Sequence, residues 1–202
     1  MSTFRATKSG LSRETQQKIN AKYDPDLAHM CLDWIQEMIN TNLNSGEDPI
    51  DFNTSGDAKN FSTVLHNGLI LARLANVLVS GSVPRSKYTR EPKLAFKQME
   101  LIEIFINKSR EFGVPDHESF QTVDLFEEQN LYQVLVSLQS LGRKAKGRGM
   151  LGFGPKEAEP KPRHFTEEQL KAGVNIISLQ MGTNKGATQS GMTFGKQRMI
   201  ID

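Results

Sequence analysis

Four histidines, one cysteine, one carboxylate-bearing loop and one glycine-rich run are where this 202-residue chain has residue types suited to chemistry. His29, His66, His117 and His164 fall on different elements, and no spacing among them is that of a metal site. Cys31 lies on the apolar face of an expected helix, where a thiol serves as a small core residue. Alone, it can form neither an internal disulfide nor a four-thiolate zinc site. Asp51-Phe52-Asn53-Thr54-Ser55-Gly56 opens like a calcium loop, but the twelfth position is Ser62 instead of a bidentate glutamate and the eighth is Ala58. Two ligand oxygens and a charge are missing, which leaves a turn. Gly186 to Thr193 (GATQSGMT) has the spacing of a phosphate loop, yet Met192 stands where the lysine must be, and a helix is expected before it instead of a buried strand. Gly152-Phe153-Gly154 lacks a third glycine and lies beside Pro155, so it reads as linker. No nucleophile, base and orienting group come together. The expectation is no enzyme activity and no cofactor.

The chemistry that remains is adhesive. Gly173 to Asp202 (GVNIISLQMGTNKGATQSGMTFGKQRMIID) opens on Val174, Ile176, Ile177, Leu179 and Met181, then becomes rich in glycine, threonine and amides, and closes on Lys196, Gln197 and Arg198. It holds too little apolar surface for a core of its own. Charge agrees with a binding tail. Residues 1–142 carry 14 Lys/Arg against 18 Asp/Glu, a net of −4, and residues 143–202 carry 11 against 5, a net of +6. A mildly acidic body followed by a basic tail favours an acidic partner and salt-sensitive binding. Nucleic acid is disfavoured, because the tail's aromatics are only Phe153, Phe165 and Phe194, without interleaved basic and stacking residues. No apolar run approaches the roughly 20 residues of a membrane span. The polar start, MSTFRATKSGLSRETQQKINAKY, lacks the apolar stretch of a secretory signal, so a cytoplasmic protein is expected.

The elements that must carry this tail are helical. Asp24-Pro25-Asp26 is a helix start: a capping carboxylate, a proline at the first position and an acid that complements the dipole. Leu27, Cys31, Trp34, Ile35, Met38 and Ile39 then recur on one face. Asn40 to Asn60, with Gly46, Pro49 and Gly56, reads as a long loop. A second helix is expected over about Phe61 to Val79, burying Leu65, Leu69, Ala72, Leu74 and Leu78 or their near neighbours, and ended by Ser80 to Pro84. A third, Phe96 to Phe112, aligns Phe96, Met99, Ile102, Phe105 and Ile106, with Gly113 as its left-handed terminator. Phe120 to Phe126 is compact and apolar. A fourth helix, Asn130 to Leu141, buries Leu131, Val134, Leu135 and Leu138 and is followed by Gly142. No stretch alternates long enough for a strand. Further on, Thr166 with Gln169 forms a capping box and Phe165 with Leu170 a hydrophobic staple, so a short helix runs from about Glu167 to Leu179.

Several separated stretches resemble the calponin homology domain: Trp34-Ile35, HNGLILARLAN (His66 to Asn76), FKQMELIEIF (Phe96 to Phe105) and FQTVDLFEEQNLYQVLVSLQSLGR (Phe120 to Arg143). The closing segment resembles the calponin-like repeat, with its apolar pair, Leu-Gln-Met-Gly, Asn-Lys and Gly-Met-Thr. One domain, one linker and one repeat is the layout of the transgelins, the muscle-protein-20-like calponins. The resemblance implies an all-α calponin homology domain of four main helices and short connecting ones, followed by a largely extended tail. The expected divisions are 1–23 as an extension, 24–143 as the domain, 144–164 as a basic linker and 165–202 as short helix and repeat.

The same resemblance implies a non-enzymatic protein that stabilises or cross-links filamentous actin through the repeat. Ile176, Ile177, Leu179, Met181 and Met192 would exclude water, and Lys185, Lys196 and Arg198 would meet carboxylates. Gln180, Asn184 and Gln189, with Gly182, Gly186 and Gly191, would let the backbone lie close and hydrogen-bond. Lys144, Lys146 and Arg148 are candidates for an auxiliary basic contact or a solvated linker. Thr188 stands where the family carries a phosphorylatable residue. The alternative is an adaptor whose helical domain recruits a signalling or cytoskeletal protein.

Overall fold

A computed structural model describes residues 9–43, 48–155, 157 and 162–174. The chain divides into two compact units, Met1–Glu157 and Ala158–Asp202. Among the described residues every regular element is helical: α1 Gly10–Asn20, α2 Pro25–Thr41, α3 Ala58–Leu65, α4 Leu69–Leu78, α5 Arg85–Tyr88, α6 Ala95–Glu111, α7 Thr122–Phe126, α8 Leu131–Gly147 and, in the second unit, α9 Glu167–Val174.

Local hydrogen bonds start and stop these helices where the residue types dictate. The Asp24 carboxylate accepts from the N–H groups of Asp26 and Leu27, with Pro25 at the first helical position. The α6 helix ends in a double bond pattern: Gly113 N–H donates to Arg110 O and Val114 N–H to Ser109 O, with Gly113 at φ 106°. Val114 is buried just beyond, which supplies the apolar contact that accompanies this cap. In the second unit, Thr166 and Gln169 exchange the two bonds of a capping box, 3.0 and 3.3 Å. Both Phe165 and Leu170 are exposed there. The described part of that helix ends at Val174, so the expected continuation to Leu179 lies outside the described residues.

The core of the first unit is one cluster. Cys31, Leu32, Ile35 and Met38 of α2 meet Leu71 and Leu74 of α4, Ile102 and Phe105 of α6, and Val134, Leu135 and Leu138 of α8, all fully or nearly fully buried. Trp34 and Ile39 are buried with them, as the spacing along α2 requires, while Leu27 is half-buried at the edge.

The structure corrects four expectations. The single helix expected over Phe61 to Val79 is two, α3 and α4, bent by 71°. Gly68, at φ 70°, makes the turn, and Asn67 Oδ1 accepts the N–H of Leu69 to start α4. The bend lays α4 along α6, its most extensive partner. A Cβ on Gly68 would stand 2.8 Å from the Leu101 Cβ, so the glycine also permits that approach. Second, Phe96, expected in the core, is 62% exposed; Leu101 is buried instead. Helical spacing ranked Phe96 with Met99 and Ile106, but spacing does not show where along α6 the packed face begins.

Third, the fourth helix does not stop near Leu141. It runs to Gly147, through Lys144 and Lys146, both assigned to the linker. Gly142 lies within it, buried, and a Cβ there would overlap the ring of Phe153. Fourth, Gly152-Phe153-Gly154 is packed onto the body. Phe153 is 8% exposed, its ring 5.1 Å from that of Trp34, and the Trp34 indole N–H donates to Leu151 O at 2.9 Å. The amino-terminal extension also contains a helix, α1, which buries none of its own residues; Gln16 donates to Gln129 O.

No single described helix is long and apolar enough to cross a membrane. The pair α3 and α4 would pass by length and composition, but it is bent and supplies the core.

Candidate functional site

The loop that opens like a calcium site spends its oxygens internally. Asn53 Oδ1 accepts from Ser55 N–H, Ser55 Oγ donates to Asp57 Oδ2 at 2.8 Å, and Asn60 Nδ2 donates to both Asn53 O and Ser55 O. Gly56 is required for proximity: a Cβ there would overlap Pro25 O. Tyr23 Oη donates to Gly56 O at 3.0 Å and His29 Nδ1 lies 2.7 Å from Thr54 O, which pins the loop against the start of α2. No group of three His, Cys, Asp or Glu among the described residues is arranged to hold a metal ion.

The nucleophile candidates are occupied by the fold. Cys31 is fully buried, and burial pushes its thiol well above the usual range, so it stays protonated at neutral pH. Burial, and then the nearby Cys31, Asp57 and Asp24, likewise push the Tyr23 phenol up. His66 stacks on Phe126 with ring centroids 4.7 Å apart, and His29 pairs with Asp33 at 3.3 Å. These are structural placements at helix surfaces, as their sequence positions suggest.

The basic run splits into different roles. Lys144 Nζ meets Glu157 Oε2 at 2.7 Å, and the neighbouring Arg143 makes two bonds to Glu118, 3.0 and 3.2 Å. Arg148 lies 3.9 Å over the ring of Phe112 and donates to Phe112 O at 2.9 Å, which satisfies the end of α6. Lys146 is exposed and donates once, to Gly154 O at 3.1 Å. Two of the three candidate cations therefore hold the body together, and Lys146 keeps donors facing solvent. Spacing could not foresee this, because Glu157 and Phe112 come from outside the run.

Ile176, Ile177, Leu179, Gln180, Met181, Asn184, Lys185, Thr188, Gln189, Met192, Lys196 and Arg198 lie outside the described residues. What is known of that segment comes from its sequence. The calponin family repeat matches residues 177–200, and the calponin homology (CH) domain matches residues 25–147. The second span coincides with the start of α2 and the end of α8. Over 197 residues the chain is 36% identical to myophilin of Echinococcus granulosus, covering 96% of each protein.

Proposed function

The chain belongs to the transgelin and calponin family of cytoskeletal proteins, with one calponin homology domain and one calponin repeat, and from that premise we propose that it binds filamentous actin through the repeat. The observation that carries the reading is the repeat itself, at residues 177–200 of a chain whose net negative charge lies in residues 1–142. Actin filaments present an acidic surface, so Lys185, Lys196 and Arg198 supply the complementary sign. The aliphatic residues Ile176, Ile177 and Leu179, with Met181 and Met192, supply area that excludes water, and Gln180, Asn184 and Gln189 hydrogen-bond the filament surface. No step in this reading requires catalysis or a cofactor, and it places the protein in the cytoplasm on the cytoskeleton. One copy of a short segment gains nothing from avidity, so affinity is modest and the role is to stabilise or cross-link filaments.

Cosedimentation with actin filaments tests this. The full chain is expected to pellet with filaments at low salt and to lose affinity as salt rises. A chain ending at residue 172 is expected to stay in the supernatant while keeping its melting temperature. Undiminished pelleting of the truncated chain would overturn the reading. Phosphorylation gives a second handle. Thr188 lies three residues from Lys185, and a negative charge there opposes docking on an acidic surface. Thr188→Glu is expected to weaken cosedimentation about three- to tenfold, with Thr188→Val close to wild type. Equal pelleting of the Glu and Val variants would show that Thr188 does not face the filament.

A further inference from the structure

A groove on the body has no role in this reading. It lies where α5 leads into α6, has a volume of about 830 Å³ and is bordered by Ser86, Lys87, residues 90–94, Lys97, Glu100 and Leu101. Its charges are unequally used. Lys87 is tied to Glu100 at 2.6 Å, and Glu91 accepts from Asn67. The side chains of Arg90, Lys93 and Lys97 are exposed and make no hydrogen bond or ion pair with another described residue. Leu94 is 51% exposed on the same wall, and the buried Pro92 and Leu101 add apolar surface. At its edge, α6 begins without a side-chain cap or an acidic residue in its first turn, so the positive end of its dipole is uncompensated.

We infer that this groove is a docking site for an acidic peptide segment of a partner protein, one that places an apolar side chain against Leu94 and Leu101 and carboxylates on Arg90, Lys93 and Lys97. Charge complementarity selects the occupant. Three unpaired cations beside an uncapped helix start favour an anion, and the apolar wall favours one that also carries a hydrophobic anchor. The chain's own closing segment has the wrong sign, with Lys185, Lys196 and Arg198 against Asp202. A lipid surface is the poorer match, because a flat bilayer face does not follow a concave wall. The three cations are long, mobile side chains whose pairing with carboxylates adds modestly at each contact. Their main effect is on encounter and selectivity, and the apolar anchor sets residence.

The site belongs to the helical body and stands independently of the tail's engagement of actin. The probe is a fluorescein-labelled synthetic dodecapeptide of glutamates interrupted by one phenylalanine and one leucine, titrated against the full chain by polarisation. Binding is expected to weaken with salt and to fall about tenfold or more in the triple variant R90Q/K93Q/K97Q. Leu94→Ala is expected to weaken it too, and R13Q/K18Q/K59Q, which removes exposed cations elsewhere, is expected to leave it unchanged. Amide shifts on titration should cluster over residues 86–101. The variants sit on exposed positions and should melt like wild type, and the triple variant should still pellet with filaments. Equal binding of a glutamine-for-glutamate peptide would overturn the proposal, as would shifts that map elsewhere. So would phosphatidylcholine–phosphatidylserine vesicles, or a second copy of the chain, engaging these residues where the peptide does not. Failure of filament pelleting with peptide binding intact would remove the actin reading and leave the groove standing.

Discussion

Gly56→Ala is expected to destabilise the body by about 3 kcal/mol, at the upper end for overpacking, and to lower its melting temperature by roughly 10 °C. The added Cβ would fall on the backbone oxygen of Pro25, with His29 N 2.9 Å away. Backbone cannot rotate aside as a side chain can. Either α2 or the loop must move, and each movement breaks bonds. The Tyr23 Oη bond to Gly56 O and the His29 contact with Thr54 O both depend on this approach. So does the position of Asp24 and Pro25 at the helix start, which orients the whole buried face of α2. Gly147 provides the control: a Cβ there meets nothing within 4 Å and its φ is ordinary, so Gly147→Ala should be neutral or slightly stabilising. A Gly56→Ala chain that melts within about 2 °C of wild type would show that the loop yields freely.

Phe153→Ala is expected to cost about 3 kcal/mol, the lower end for a buried phenylalanine because the ring sits at the rim of the core. The ring fills a notch that exists because residue 142 has no side chain, and it also packs on Trp34. Trp34 is the chain's one tryptophan, so the loss has a direct optical readout. With the segment 151–154, the strap over Trp34, released, Trp34 loses both the ring and the acceptor at Leu151 O. Its emission should shift to the red, and quenching by acrylamide should rise. Residues 149–157 should become more open to proteolysis, because Lys144 and Arg143 hold Glu157 only while the strap is seated. The pair with residue 142 is the sharper test. Gly142→Ala should be strongly destabilising in the native chain and mild in the Phe153→Ala background, a non-additivity that isolates the contact. Unchanged emission and melting temperature in Phe153→Ala would mean that the strap contributes nothing. Neither change touches the repeat, so filament cosedimentation below the melting temperature should remain near wild type.

The elements legible from spacing are those whose bonds close within a few residues. Asp24 reaches Asp26 and Leu27, Gly113 and Val114 reach back into the last turn of α6, and Thr166 reaches Gln169. The buried face of α2 follows the same way, because a helix repeats every 3.6 residues whatever it packs on. Where the expectation failed, the deciding partner was far away in sequence. The bend at Gly68 is coupled to the close approach of Leu101 on α6. The Lys144 to Gly147 stretch read as linker because lysine and glycine are common there, while Lys144 in the structure pairs with Glu157 from beyond the helix.

By itself, then, the sequence determined the helical class, the family, and a basic carboxyl-terminal repeat whose chemistry is adhesive. It did so because caps, periodicity and motif are local properties of a chain. Only the tertiary structure decided that Phe153 closes on Gly142 and Trp34 and that Arg148 covers Phe112. It alone left the side chains of Arg90, Lys93 and Lys97 without partners among the described residues, beside an apolar wall. Those outcomes join residues as much as 117 positions apart, as the Trp34 to Leu151 bond does, and contacts over that distance are set by how helices pack.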